Sequence, residues 1–381
     1  MQIFDENDHI APIYHRAVNL SFGKDYADPT IESHSSIAKQ NSEQENRRRE
    51  LLAVEEQAKH ERIVKEYGLA HFKSQTMSKF YTKVMATVNN EFDDKENLYA
   101  SILHIEDAAP AIMEILAVKA ASISRVAPLV KSLPWLADEL VSLVNKPQYR
   151  KRADVQVSDP NLALSYIGLE NLKLVMPTFM LKHWLPVSTS PVSIMKRRIW
   201  NDSVAIALAT QALAQKNEID TFQAFTAGML SNIGVLAVTR CFFQTFNDMH
   251  KQALKQAYDD KDKRLHDALS SIKMSPELLH EQLVLHSSKI AADVVELMRF
   301  DRLAITEALF DLAYVTDIDK MSDIAQLVLK AKAYVMQRNL YKEKLISDQE
   351  SKQLFKLVKL SVAELKMLKT KDIDHIKLNF Q

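Results

Sequence analysis

The scarcity of glycine constrains this chain more than any other feature. Only Gly23, Gly68, Gly168, Gly228 and Gly234 occur in 381 residues. All-β folds draw freely on Gly-rich turns, and phosphate-cradling loops need clustered glycines so that backbone amides can approach the ligand. No such cluster occurs, so Rossmann and P-loop readings fall and an all-α fold with short connections is expected. The length allows two or three domains with a sizeable buried core, since single cores stop growing at roughly 250–300 residues.

Charge narrows the partners. Lys+Arg and Asp+Glu both number 49, which leaves no global field to draw the protein onto nucleic acid or an anionic membrane. The single cysteine, Cys241, lies beside Phe242 and Phe243; it excludes an internal disulfide and reads as a buried small hydrophobe in a reducing compartment. Met1 to Asp8 is acidic and lacks the basic and apolar regions of a signal peptide. Residues 221–239 carry no charge and approach the length of a membrane span, but Gln223, Thr226, Ser231 and Asn232 interrupt them, so a buried core helix is expected. A soluble, cytoplasmic protein follows from these readings.

Along the chain, residues 1–40 show no sustained periodicity and a turn at Asp28-Pro29. Ser42 to Tyr67 reads as a polar helix with Gly68 as its C-cap. A second helix is predicted over 71–92 from Phe72, Met77, Phe80, Val84 and Val88, and a charged linker over 89–96. From about residue 98 apolar-periodic segments dominate. Ser158-Asp159-Pro160 starts a helix. That helix runs from Asn161 to Ile167 and stops at Gly168 in a left-handed conformation, and another follows from Glu170. Ser347 with Glu350, and Ser361 with Glu364, have capping-box spacing, which makes the last 65 residues helical. Three segments are expected: an N-terminal extension over 1–97, a domain over 98–318 with halves 98–185 and 186–318, and C-terminal helices over 319–381.

The middle of the chain carries a family pattern. Leu133-Pro134-Trp135-Leu136-Ala137 leads to Leu143-Val144-Asn145-Lys146, and Val157-Ser158 is followed by Ala163-Leu164-Ser165-Tyr166-Ile167-Gly168-Leu169. Trp200-Asn201-Asp202-Ser203 and Ala227-Gly228-Met229-Leu230-Ser231-Asn232-Ile233-Gly234 come next, then His286 and the run to Phe300. Taken in order over about 102–315, these resemble the HDOD domain, whose corresponding segments read Trp-x-His-Ser and Ala-Gly-Leu-Leu-His-Asp-Ile-Gly. The resemblance implies a multi-helical bundle related to the HD phosphohydrolases, with extra helices at both ends. Those enzymes hold divalent metals through a His, a His-Asp pair and a further Asp, because imidazole and carboxylate ligands position cations that polarise phosphoryl oxygens. In this chain Asp202 stands where the first His is expected, and Ser231-Asn232 stands for the pair. The late His-His falls near Leu312-Ala313, and the region of Lys330-Ala331-Lys332 offers no aspartate.

Asp202, Ser231, Asn232 and His286 are therefore the degenerate metal-site positions, and no metal or other cofactor and no catalytic residue is expected. The main expectation for Ser231 and Asn232 is a buried polar cluster with Asp202. His280 and His286, six apart, lie on different helix faces and read as a surface and a semi-buried histidine. Of three basic triplets, Arg47-Arg48-Arg49 falls in the polar helix. Arg150-Lys151-Arg152 and Lys196-Arg197-Arg198 flank expected loops beside Tyr149 and Trp200. Arg150, Arg152, Arg197 and Arg198 are the candidate anion-binding residues, with a nucleotide as ligand. The resemblance implies a non-catalytic regulatory module of bacterial signal transduction that acts by binding protein partners. A metal-dependent phosphohydrolase and a binding protein for a small anionic nucleotide-like ligand stand as alternatives.

Overall fold

A computed structural model describes residues 1–28, 53–149, 156–186 and 192–379, without the side chains of 53–66. Among the described residues every regular element is a helix. The protein forms two compact units, each discontinuous in sequence: Met1–Asp28, Glu91–Cys241 and Pro276–Gln381 make the first, and Pro29–Asn90 with Phe242–Ser275 the second.

The first unit begins with α1 (Gln2–Asp5), α2 (Ala11–Leu20) and α3 (Lys24–Ala27). Helix α4 (Ala53–Asp93) belongs mainly to the second unit. After it, α5 (Lys95–Asn97) and a π-helical turn over Leu98–Ile102 lead to α6 (Ala108–Ala117), α7 (Ile123–Lys131), α8 (Pro134–Val144) and α9 (Pro160–Trp184). The last four helices pack on one another around Ile112, Met113, Val126, Leu136, Leu140 and Leu164, all at or near zero exposure. Asn145 ties the stretch after α8 to the approach to α9: its side-chain oxygen accepts from Val157 N at 3.0 Å and its Nδ2 donates to the Val157 carbonyl at 2.7 Å.

Helices α10 (Ser193–Lys216), α11 (Thr221–Leu230) and α12 (Ile233–Asp259) follow, with α13 (Lys263–Ser270) in the second unit. Helices α14 (Pro276–Leu297), α15 (Ile305–Tyr314), α16 (Asp323–Lys342), α17 (Asp348–Leu357) and α18 (Val362–Thr370) complete the first. Helix α10 packs on α11 and α16, α14 on α15, and α2 on both α14 and α16. Glycine permits two close approaches, of α11 to α10 and of α12 to α14. A Cβ on Gly228 would lie 2.8 Å from the Ala207 Cα on α10, and one on Gly234 only 1.7 Å from the Ser287 carbonyl oxygen on α14.

In the second unit, Phe80 on α4 meets Phe246 edge-on at 5.6 Å, and His250 lies 5.7 Å from Phe80. The Arg264 guanidinium sits 4.2 Å over the Phe72 ring, and the Tyr81 hydroxyl donates to the Lys273 carbonyl.

Several local expectations need correction. Gly68 does not cap a helix: α4 runs through it without a break. One interior glycine costs only about 1 kcal/mol, less than the helical hydrogen bonds on both sides recover. The part of the expected polar helix before Ala53, with Arg47, Arg48 and Arg49, lies outside the described residues. The linker expected over 89–96 is largely helical, because α4 continues to Asp93 and Asp94 caps α5 by accepting from Asn97 N. The stretch without periodicity at the start contains α1 to α3, too short to display a helical repeat. Gly168 has φ 75° as expected but ψ 158°, so it kinks α9 in a region of backbone space that is essentially restricted to glycine, outside the left-handed helical well. Both capping boxes form, while residues 371–379 beyond them carry no helix. Cys241 is buried. The uncharged run is two helices, α11 and α12, meeting at Ser231-Asn232. Thr221–Asp259 is apolar and long enough to cross a membrane by composition alone, but 83% of its most apolar window is buried within the protein.

Candidate functional site

Where α11 stops and α12 starts, the backbone breaks at the two polar residues singled out in the sequence. The Ser231 hydroxyl turns back to donate to the Gly228 carbonyl at 2.8 Å, and the Asn232 carbonyl accepts from Leu236 N to open the next helix. The two side chains are thereby held at the head of a cavity of about 140 Å³. Helix α10 lines it with Arg198, Ile199, Asp202 and Ile206, and α16 with Lys332, Val335, Met336 and Asn339, positions that share one helix face by their three- and four-residue spacing. Leu283, Ser287 and Ser288 come from α14, and Phe4, Tyr14, Ala17 and Val18 from the N-terminal helices.

The polar contacts run through α16. Lys332 Nζ donates to Asn232 Oδ1 at 2.7 Å and to the Ser231 carbonyl at 3.1 Å. Asn339 Nδ2 donates to Asp202 Oδ1 at 2.7 Å. Asn232 Nδ2 reaches the Ser203 hydroxyl at 3.3 Å, which in turn donates to the Ile199 carbonyl at 2.7 Å. Ser231, Asn232 and Asp202 line one cavity, and Asn232 bonds from helix to helix through Ser203 and Lys332, although none of the three bonds directly to another. Lys332 and Asn339, neither of which the sequence reading had chosen, hold them instead.

Electrostatics follow from enclosure. Burial pushes the Asp202 carboxyl up to about 6, against the opposing effects of the Asn339 hydrogen bond and the positive charges of Arg198, Arg338 and Lys332. Burial also brings the Lys332 ammonium down to about 8, against the attraction of Asp202. Near neutral pH both groups are charged, and each supports the other's charge without a direct ion pair.

A divalent metal of the kind that HD enzymes hold does not fit this donor set. One carboxylate is present. The Asn232 oxygen is already engaged by an ammonium, and the Ser231 hydroxyl is spent on its own helix. A dication ~4 Å from the Lys332 ammonium would be repelled by several kcal/mol even at an effective dielectric of ~20. Among the described residues no group of three or more His, Cys, Asp or Glu is arranged to hold a metal.

The other candidate residues separate. His286 is half-buried against Phe92, ring centroids 5.0 Å apart, does not line the cavity, and is held below the usual imidazole range chiefly by burial. His280 is partly buried rather than on the surface, within 2.8 Å of His15, whose other ring nitrogen meets Asp5 at 2.9 Å. Arg197 is exposed, whereas Arg198 lines the cavity. Arg150 and Arg152 lie outside the described residues.

These features define an all-helical protein with a largely apolar cavity, holding a polar cluster, where helices α10, α12, α14 and α16 meet. Residues 102–278 match the HDOD domain family model, and the chain carries an HDOD domain over that span. The match ends before His286, and the cavity is completed by residues on both sides of it. No match is found among curated proteins. Among solved structures, the chain is similar to a candidate phosphohydrolase from Shewanella amazonensis SB2B (15% identity, TM-score 0.45, 74% of this chain and 92% of that one). A candidate metal-dependent phosphohydrolase from the same organism gives 17%, 0.44, 77% and 98%. A candidate signal transduction protein from Marinobacter aquaeolei VT8 gives 17%, 0.40, 74% and 65%.

Proposed function

We propose that this protein is a non-catalytic regulatory module that acts in the cytoplasm through protein partners, with the HD-type metal centre replaced by a lysine. The observation that carries this reading is the Lys332 ammonium on Asn232 and Ser231. It brings an ammonium, charged near neutral pH, to the position where a phosphohydrolase would hold its metals. An ammonium can donate hydrogen bonds and balance Asp202, but it cannot bind and acidify a water molecule as a metal does.

Elemental analysis of the full chain, purified without chelators, tests the absence of metal. Well under one equivalent of Mn, Fe, Mg or Zn is expected, with hydrolysis of phosphate mono- and diesters at background. Replacing Ser231→His together with Asn232→Asp should not restore turnover while Lys332 and Asp202 remain. Stoichiometric metal with turnover that disappears in Asp202→Ala would put the phosphohydrolase reading first. The partner side is tested by capture of proteins from the native host on immobilised full chain, where retention of none at physiological salt counts against it.

A further inference from the structure

The cavity has more polar capacity than its own walls use. The Ser287 hydroxyl is buried and has no hydrogen-bond partner, although Ser287 lines the cavity and is only 6% exposed. Arg198 Nε is likewise buried without a partner, and the guanidinium reaches Glu343 only at 3.8 Å. Buried polar groups are ordinarily satisfied, so two unmet groups on residues that line one cavity point to something that accepts from them. The rest of the wall is apolar, with Phe4, Leu283, Val335 and Met336 prominent.

We infer that this cavity is a binding site for a small monocarboxylate with an apolar tail, its head toward Lys332, Arg198 and Ser287 and its tail toward Phe4 and Leu283. Three features select that class. The side-chain charges lining the wall are the cations Lys332 and Arg198 against the single carboxylate of Asp202, and the Met1 amine, pushed down to about 5 by burial, is neutral at pH 7, so one added negative charge balances the lining and a phosphate dianion exceeds it. The unmet Arg198 Nε can only donate and the Ser287 hydroxyl can donate beside it, which suits a carboxylate and not an amine. A volume of 140 Å³ is close to the ~150 Å³ of a cavity that holds one benzene, which suits an acid of about six carbons, or a longer one whose tail end lies outside, and not a nucleotide. Gly234 contributes indirectly, because it alone lets the Ser287 backbone come close enough to α12 for the hydroxyl to reach the cavity.

This inference rests on the reading of Lys332 as the resident cation, and its test separates the two. Titration calorimetry on the metal-analysed full chain would use sodium octanoate, octan-1-ol, octylamine and inorganic phosphate. Octanoate should bind saturably, and octanol, with the same tail and no charge, about tenfold or more weaker, the worth of one charge-assisted hydrogen bond. Octylamine and phosphate should not compete. Ser287→Ala and Arg198→Gln should each weaken octanoate several-fold; Arg198 is partly exposed, so its variant keeps a folded protein available even if a change at Lys332 does not. Equal binding of octanol and octanoate, tighter binding of phosphate, or no binding of octanoate to metal-free protein would each overturn the inference and leave the metal-free reading standing. Stoichiometric metal would overturn both.

Discussion

Gly234→Ala and Gly68→Ala make the same chemical change, and the structure gives them opposite signs. Both glycines are helical, so the added methyl should bring each about 1 kcal/mol of helix propensity. At Gly68 a Cβ meets nothing within 4 Å, and that gain should appear nearly whole. At Gly234 the Cβ would stand 1.7 Å from the Ser287 carbonyl oxygen and 2.8 Å from Ala291 N. Ordinary contact begins near 3.4 Å, so the backbones of α12 and α14 must part by about 1.7 Å in an interior that packs like a crystal. Overpacking of this kind costs about 1–3 kcal/mol, and more where the obstacle is backbone. We therefore expect about 3 kcal/mol or more of net loss for Gly234→Ala. With an unfolding entropy of roughly 2.1 cal/mol/K per residue, a chain of 381 residues would then melt about 4 °C lower or more, while Gly68→Ala melts slightly higher. Differential scanning calorimetry of both variants beside the parent chain is the assay. A Gly234→Ala protein that melts with the parent would show that α12 and α14 do not approach through this glycine, and would remove the account of how Ser287 reaches the cavity.

Two further outcomes follow from the site and the kink. Because burial pushes the Asp202 carboxyl up to about 6 in the folded protein from its ordinary 3.8, the folded state holds this proton more tightly than the unfolded chain. The stability linked to it is fully present below ~3.8 and lost as pH rises to about 6, up to roughly 3 kcal/mol at 1.36 kcal/mol per pKa unit. Asp202→Asn should abolish that loss, so the stability difference between variant and parent should rise between pH 4 and 6, a window in which Lys332 stays protonated in both. Denaturant melts giving a flat difference across the window would count against a buried, raised carboxyl. Gly168→Val should cost about 1–3 kcal/mol, since valine must adopt φ 75°, ψ 158° or unmake the kink; an unchanged denaturation midpoint would place the turn elsewhere.

Short-range physics was legible in the sequence, and long-range physics was not. Helix caps, the kink glycine and the helical class depend on residues within about four positions of one another, which is why the Ser347 and Ser361 boxes, the start at Asp159 and the positive φ at Gly168 could be read directly. The HDOD segment was legible for the same reason: its motifs are local strings. Even so, a local signal can be outvoted. Gly68 reads as a stop, yet α4 passes through it, because a glycine penalty of about 1 kcal/mol is small beside a long helix.

The candidate site belongs to the other category. Asp202, Ser231 and Asn232 were found as departures from a motif, but their partners lie 100 to 137 positions away in Lys332 and Asn339. Nothing near Lys332 in the chain marks it as different from Lys330, which pairs with the buried Glu364 on another face of the same helix. Only the packing of α16 against α10 and α11 turns one lysine into the cavity and the other toward α18. The N-terminal helices are a similar case, since ten residues of α2 display too little periodicity to announce themselves and gain their order from burial against α14 and α16. By itself the sequence determined what kind of elements form and where most of them end, because propensity and capping act along the chain. Which side chains meet, which charges are buried together and what a cavity can accept were decided by tertiary packing, because those energies depend on separation in space.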